Sequence, residues 1–211
     1  MCIGYSYILS RDYGFAPNPF GGFCTLATCK PRIRKNLVVG DYVFGITPRK
    51  LGNNLVFAMK VGEKMTYNEY WIDERFQFKK PCLNGSRKTA YGDNIYYLKP
   101  DGTWHQSDSH HSNPDGVINF DNLHRDTSVD AVLISYDFFY FGASAIEIST
   151  EYKDSLLLTH KSKTILGIGE NKISADDCGS IWTWLCNNYS FRIIDFPFLF
   201  RQEFKRYDGK S

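Results

Sequence analysis

The sequence predicts an α+β protein built as a single domain, in which a mixed, mostly antiparallel sheet carries a few flanking helices. Three observations predict it. Aromatic residues make up 16% of the 211-residue chain, a content that suits pleated, half-buried strands. Residues 38–47 (VVGDYVFGIT) and 55–61 (LVFAMKV) are apolar runs separated by an Asn53-Asn54 turn, the pattern of a hairpin. Thr66 with Glu69, and Ser174 with Asp177, each set a capping hydroxyl three residues ahead of a carboxylate, so a helix should follow each.

Taken in order, residues 3–10 (IGYSYILS) read as a first strand. Residues 11–22 form an irregular connection, pinned around Asn18 by Pro17 and Pro19 and anchored by Phe15 and Phe20. Residues 24–30 (CTLATCK) read as a strand or one helical turn, with Pro31 stopping any helix. On an extended chain Lys30, Arg32 and Arg34 would share one face, suited to phosphate. In the hairpin that follows, Gly40-Asp41 turns into the strand and the loop 48–54 exposes Arg49 and Lys50. After Thr66, the residues Tyr67, Tyr70, Trp71 and Phe76 fall at helical spacing and should pack on the sheet. Residues 131–135 (AVLIS) should continue toward Phe141 with a turn at Asp137. The run Phe138 to Phe141 is too aromatic to face water unless a ligand or partner covers it. Ile181, Trp182 and Leu185 mark the buried side of the second capped helix, and residues 191–204 read as a final aromatic strand or buried tail.

Composition sets outer limits on function. The net charge of +2 gives no global signal for nucleic acid, although Lys30, Arg32, Arg34 and Lys35 cluster, as do Lys79, Lys80, Arg87 and Lys88. The six cysteines follow no metal or redox spacing, and no apolar run reaches transmembrane length. The expectation is therefore a cytoplasmic protein with reduced thiols and no membrane partner. Gly167-x-Gly169 lacks the third glycine and long helix of a dinucleotide fingerprint, and no Walker, GxSxG or kinase motif occurs.

Chemistry concentrates in residues 91–126, a polar insert holding all the histidines except His160. A long polar insert is functional or disordered, and Tyr96, Tyr97, Trp104 and Phe120 favour order. His110 and His111, with Asp108 close by, are the candidate general base, since a carboxylate fixes a histidine tautomer and raises its basicity. Adjacent residues on an extended chain point to opposite sides, so one ring should face a cavity. The competing reading is loop histidines bonded to backbone carbonyls. A metal is not expected, because neither HxH nor HExxH is present. Cys29 or Cys24 is a candidate nucleophile beside Lys30 and Arg32, against the commoner reading of a buried structural thiol. Tyr91-Gly92-Asp93-Asn94 reads first as a turn, and second as a polar group that matches a base edge.

The segments YGFAPNPF from Tyr13 to Phe20, CTLATCKP from Cys24 to Pro31 with Arg34, Val39-Gly40-Asp41, AYGDN from Ala90 to Asn94 and DSHHS from Asp108 to Ser112 together resemble the family called nucleotide modification associated domain 2. So do Val132 to Ser135 and Tyr140 to Gly142. The resemblance spans most of the chain and implies a bacterial or phage protein in a nucleotide or DNA-modification context, without implying a reaction. Separately, Arg32 to Gly45 resembles the start of the barrel in PUA-like domains such as the EVE and ASCH groups, which implies a barrel-like sheet.

The resulting expectation is a protein that binds a nucleotide or a modified base, with processing of that ligand as an extension of the same reading. Phe20 and Tyr91 would stack the base. Asn18, Asp93 or Asn94 would read its edge, Lys30 and Arg32 would hold phosphate, and Thr28 is a further nucleotide-binding candidate. Asp108, His110, His111 and Cys29 are the candidate catalytic residues. Two alternatives stand beside it: an enzyme of base chemistry with a His/Asp or Cys centre, and an interaction module in which the aromatic run Phe138 to Phe141 and the C-terminal tail meet a protein partner. The sequence names no cofactor, and it leaves the oligomeric state open, with a homodimer as one option.

Overall fold

The computed structural model describes residues 2–157 and 170–207. Gly167 and Gly169 lie outside the described residues. The strands are β1 (Gly4–Ile8), β2 (Cys24–Leu26), β3 (Tyr42–Ile46), β4 (Leu55–Lys60), β5 (Glu63–Met65) and β6 (Tyr96–Leu98). They continue with β7 (Trp104–Gln106), β8 (Val132–Ser135), β9 (Asp137–Tyr140), β10 (Glu170–Ile173) and β11 (Arg192–Ile193). The α-helices are α1 (Pro31–Asn36), α2 (Tyr67–Ile72), α3 (Arg87–Ala90), α4 (Phe120–Thr127), α5 (Lys153–Leu156) and α6 (Ala175–Asn188). The architecture is α+β, and the chain divides into two compact units assembled from interleaved segments.

The first unit comprises Met1–Asp12, Leu37–Gly62 and Ser135–Leu199. Its six-stranded sheet runs β10-β1-β3-β4-β9-β11. Pairing is parallel between β1 and β3 and between β9 and β11, and antiparallel at the other junctions. The expected hairpin is present, with Tyr42 opposite Lys60 and Phe44 opposite Ala58. Asp41 fixes the turn into β3 by accepting from Ile3 N and Val38 N, each at 2.8 Å. Helix α6, capped by Ser174, buries Cys178, Ile181 and Leu185 against Phe44, Ala58, Phe139 and Phe141. No barrel closes, because β10 and β11 are opposite edges of an open sheet. The physical reason lies in β11: it has two residues, both exposed, too short to wrap the sheet round onto its far edge.

The second unit comprises Tyr13–Asn36, Glu63–Ile134 and Phe200–Ser211. It holds the three-stranded sheet β2-β8-β5, the β6–β7 hairpin, and helices α1 to α4. The capping box of Thr66 and Glu69 forms as expected, and Tyr67 and Tyr70 are the buried residues of α2. Three local expectations are corrected. Pro31 starts a helix, since a first-turn residue needs no N–H donor. Arg32 and Arg34 therefore lie about 200° apart around α1 and share no face. Residues 131–141 do not make one strand, because β8 pairs with β5 while β9 pairs with β4.

The aromatic run is internal too. Phe138 to Phe141 are at most 1% exposed, so the run itself offers no docking surface, whereas Phe191, Ile194 and Phe196 of the tail are exposed. Most of residues 191–196 are exposed, which corrects the buried tail. No helix among the described residues is long and apolar enough to cross a membrane.

Candidate functional site

The second unit gathers the candidate site residues. Between β2 and α1 the chain turns sharply, with Cys29 at φ 58° and Lys30 at φ 41°, in the left-handed region that non-glycine residues rarely adopt. Arg34 holds this turn. The side chain is fully buried, and all its bonds go to carbonyls: Nε to Cys29 O at 2.8 Å, Nη1 to Ala131 O at 2.6 Å and Val129 O at 3.0 Å, Nη2 to Asp126 O at 2.6 Å. The expected phosphate-binding arginine is thus a clamp joining the Cys29 turn, the end of α4 and the approach to β8.

Against that clamp stands a thiol, an imidazole and a carboxylate. Cys29 Sγ lies 3.8 Å from His111 Nε2, and His111 Nδ1 lies 2.7 Å from Asp126 Oδ2. Asp126 Oδ1 accepts the Cys29 backbone N–H at 2.9 Å and Arg125 Nε at 3.2 Å, while Tyr96 donates its hydroxyl to Oδ2 at 3.0 Å. His111 and Asp126 are buried, and Cys29 is half-buried. Asp126 is anchored because Asn122, Leu123 and Asp126 form the buried stripe of α4.

The electrostatics follow from the geometry. Burial alone would strip the proton from His111, but the Asp126 carboxylate and the Cys29 sulfur outweigh it and raise the ring to about 9. Burial alone would raise Asp126, but the charge and hydrogen bond of His111, with Arg125 and Arg34, bring it down to about 2. Because the His111 pKa is raised on folding, its stabilisation is complete below about 6.5 and lost as pH rises through 9. The Asp126 pKa is depressed, so its contribution is present above about 3.8 and lost as pH falls through 2. Denaturant midpoints should therefore decline between pH 6.5 and 9 in the wild type and much less in His111→Gln. Parallel curves for the two proteins would contradict the assignment.

The structure brings Cys29 and His111 together as candidates, but their carboxylate is Asp126 rather than Asp108. Asp108 instead accepts from Ser112 Oγ at 3.0 Å and pairs with Arg206. His110 and His111 do not point to opposite sides: a turn closed by Ser112 N to Ser109 O sets their rings side by side, 30° from parallel. His110 sits among Tyr13, Phe15, Tyr91 and Phe204, its Nδ1 meeting Lys205 O, so its partners are those of a scaffold histidine.

The expected base-edge readers are buried in the same unit. Asn18 donates Nδ2 to Tyr91 O at 3.1 Å, and its Oδ1 accepts from Phe20 N and Lys79 Nζ. Asp93 accepts hydroxyls from Thr25 at 2.6 Å and Tyr70 at 2.9 Å, and Asn94 donates to Tyr70 O and Phe76 O. Burial raises Asp93 to about 6, and burial lowers Lys79 to about 8 although Asp93 opposes it. Gly92 permits this packing, since a Cβ there would stand 2.2 Å from Lys79 O. Asp93 thus braces β2 at Thr25, and Asn94 ties down the segment from Tyr70 to Lys79. Tyr91 is buried with its ring stacked on Tyr13 at 5.0 Å. Thr28 is buried and its Oγ1 has no hydrogen-bond partner among the described residues. Lys30 is half-exposed and Arg32 is exposed.

Asn18 and Phe20 also line a cleft of about 250 Å³ with Phe78, Lys79, Lys88 and Thr89. A larger groove, of about 670 Å³, runs along α6 in the first unit, and no cysteine, histidine or cation among the described residues lines it. A thiol, an imidazole and a carboxylate meet instead at Cys29, His111 and Asp126.

Cys29, His111 and Asp126 are also a possible metal donor set, their ligand atoms lying within 4.8 Å of one another. Asp126 is engaged by Tyr96, Arg125, the Cys29 amide and His111 Nδ1, which leaves Sγ and Nε2 as open donors. Those are two protein ligands where zinc takes three or four, and the set fits a thiol–imidazole pair better.

Sequence reasoning left Asp126, Arg34 and Lys79 without their roles. The available signal was Asn122 and Asp126 on the Leu123 stripe of α4, polar groups four residues apart on an apolar face. Comparisons with curated proteins and with solved structures return no match. A family model described as nucleotide modification associated domain 2 matches residues 1–204, and the chain belongs to that family.

Proposed function

We propose that this chain acts as one functional domain, a cysteine-dependent enzyme of nucleotide or base modification that uses Cys29 as nucleophile. The observation that carries the reading is the Cys29–His111–Asp126 relay, with its separations of 3.8 and 2.7 Å. The family gives the nucleotide context. An imidazolium beside a cysteine supplies the positive field that a thiolate needs. In the reaction, Sγ bonds to the carbonyl carbon of an amide or ester carried by the nucleotide. The carbonyl π pair moves to oxygen, then returns as the C–N or C–O bond breaks. The leaving nitrogen or oxygen takes the proton from His111 Nε2. Water, deprotonated by His111, then cleaves the thioester and restores the thiol. Asp126 keeps Nδ1–H fixed so that Nε2 faces sulfur throughout.

The test is incubation of the full chain with nucleosides, nucleotides and oligonucleotides bearing acylated or amide-linked bases. The expected result is a thioester mass on the Cys29 peptide and release of the leaving amine or alcohol, both absent in Cys29→Ala. No adduct and no release across the panel would reject the enzyme reading.

A second reading, a binder of a nucleotide or modified base without turnover, is favoured by the cleft between Phe20 and Phe78. Aromatic walls with Lys88 beside them suit a base and its phosphate. Binding across the same panel that Phe78→Ala weakens, with no chemistry at Cys29, would select it.

A further inference from the structure

Arg125 borders the relay, and the proposed chemistry does not use it. It sits one position before Asp126 on α4, with Nε donating to Asp126 Oδ1 at 3.2 Å and Nη2 to Asn122 Oδ1 at 2.8 Å. Its guanidinium carbon lies 5.3 Å from the centroid of the Tyr207 ring, and that ring packs 5.4 Å from His111. The side chain keeps 30% of its surface in solvent. Nη1 makes no hydrogen bond among the described residues.

Those constraints leave a guanidinium that is oriented but not saturated. Two of its nitrogens are fixed, so the third is held in place before any ligand arrives, and little rotamer entropy is lost on binding. The charge balance also favours an anion. Among the described residues, Arg34, Arg125 and protonated His111 all bond to one acidic residue, Asp126. A planar donor fork in that setting matches a phosphate or carboxylate oxygen.

We propose that Arg125 is the anion-reading residue of the Cys29 site, and that the substrate presents a phosphate to its Nη1 while the reacting carbon meets sulfur. This inference rests on the reading of Cys29 as the nucleophile. It assigns the substrate to phosphorylated forms, a mononucleotide or a polynucleotide backbone, and away from free nucleosides.

The experiment measures alkylation of each cysteine in the full chain by anionic iodoacetate and neutral iodoacetamide, with exposed Cys82 as internal reference. Cys29 should favour iodoacetate over iodoacetamide, relative to Cys82, by about five- to tenfold, the scale of one charge-assisted hydrogen bond. Arg125→Gln should remove that preference, and Arg125→Lys should keep part of it. Inorganic phosphate should slow wild-type alkylation at Cys29 but not that of Arg125→Gln. Protection by a nucleoside 5′-monophosphate would support a free nucleotide as the source of the phosphate, and protection by oligonucleotide alone would support the polymer. Equal protection by the unphosphorylated nucleoside would overturn the proposal. So would a parallel fall in both reagents' rates in Arg125→Gln, which would make Arg125 only a support for Asp126. If wild-type Cys29 reacts no faster than Cys82 with either reagent, the nucleophile reading itself fails. Fast reaction at Cys29 without anion preference removes only the role of Arg125.

Discussion

Asp126→Asn is expected to cut turnover through Cys29 by about 10³-fold or more, as removal of a relay carboxylate does elsewhere. The reason is tautomeric. With Asp126 ionised, His111 carries a proton on Nδ1 and aims Nε2 at Cys29 Sγ. An asparagine amide in place of Oδ2 would donate where it must accept: the imidazolium would lose the carboxylate that stabilises it, and the neutral ring that deprotonates water would carry its free nitrogen at Nδ1 instead of Nε2. Asp108→Asn should leave turnover within about threefold, a surface-scale effect, because Asp108 bonds Ser112 and Arg206 and touches no atom of the relay. Asp126 also holds the Cys29 amide and Tyr96, so thermal unfolding must be followed in parallel. If Asp126→Asn does not fold, His111→Gln tests the same relay. Iodoacetamide labelling of Cys29 at neutral pH should slow in either variant. Equal losses in Asp108→Asn and Asp126→Asn would remove the relay from the mechanism.

Arg34→Met is expected to destabilise the protein by about 3–5 kcal/mol, the cost typical of breaking a buried charged cluster. Methionine matches the stem in length but donates nothing. Four carbonyls would lose the guanidinium; Asp126 O would keep the Tyr67 hydroxyl at 3.0 Å and Val129 O the Ala131 amide at 3.0 Å, so the loss falls hardest on those of Cys29 and Ala131 in a dry interior. Arg34→Lys should recover only part of the loss, since one ammonium cannot span acceptors set around a planar fork. Urea midpoints measure the effect. A loss below about 1 kcal/mol would mean that water or other donors reach those carbonyls. Two of the four belong to relay residues, so labelling of Cys29 should slow along with the loss of stability.

The sequence determined the features that depend on a few neighbouring residues. The β3–β4 hairpin, the Thr66 capping box and the Ser174 cap form where local pattern puts them, because turn preference and capping hydroxyls act within four residues. It also marked out the stretches around Asn18 to Arg34 and Tyr91 to Asp126. Those stretches do meet, through Asn18 and Tyr91, Thr25 and Asp93, and Cys29 and His111.

Tertiary structure decided which members of those stretches meet one another. Asp108 is three residues from His111 and Asp126 is fifteen away, yet the α4 stripe brings Asp126 to the ring while the turn at Ser109–Ser112 gives Asp108 to Arg206. Arg34 and Arg32 look alike in sequence, but a helix started by Pro31 sends one inward and leaves the other in solvent. Closure of the sheet was likewise undecided by strand pattern, because it depends on the length of the last edge strand. Local free energies select turns and caps. Which buried polar group finds which partner is settled only when the whole interior is packed, since each unpaired donor or acceptor left there costs more than local preference supplies.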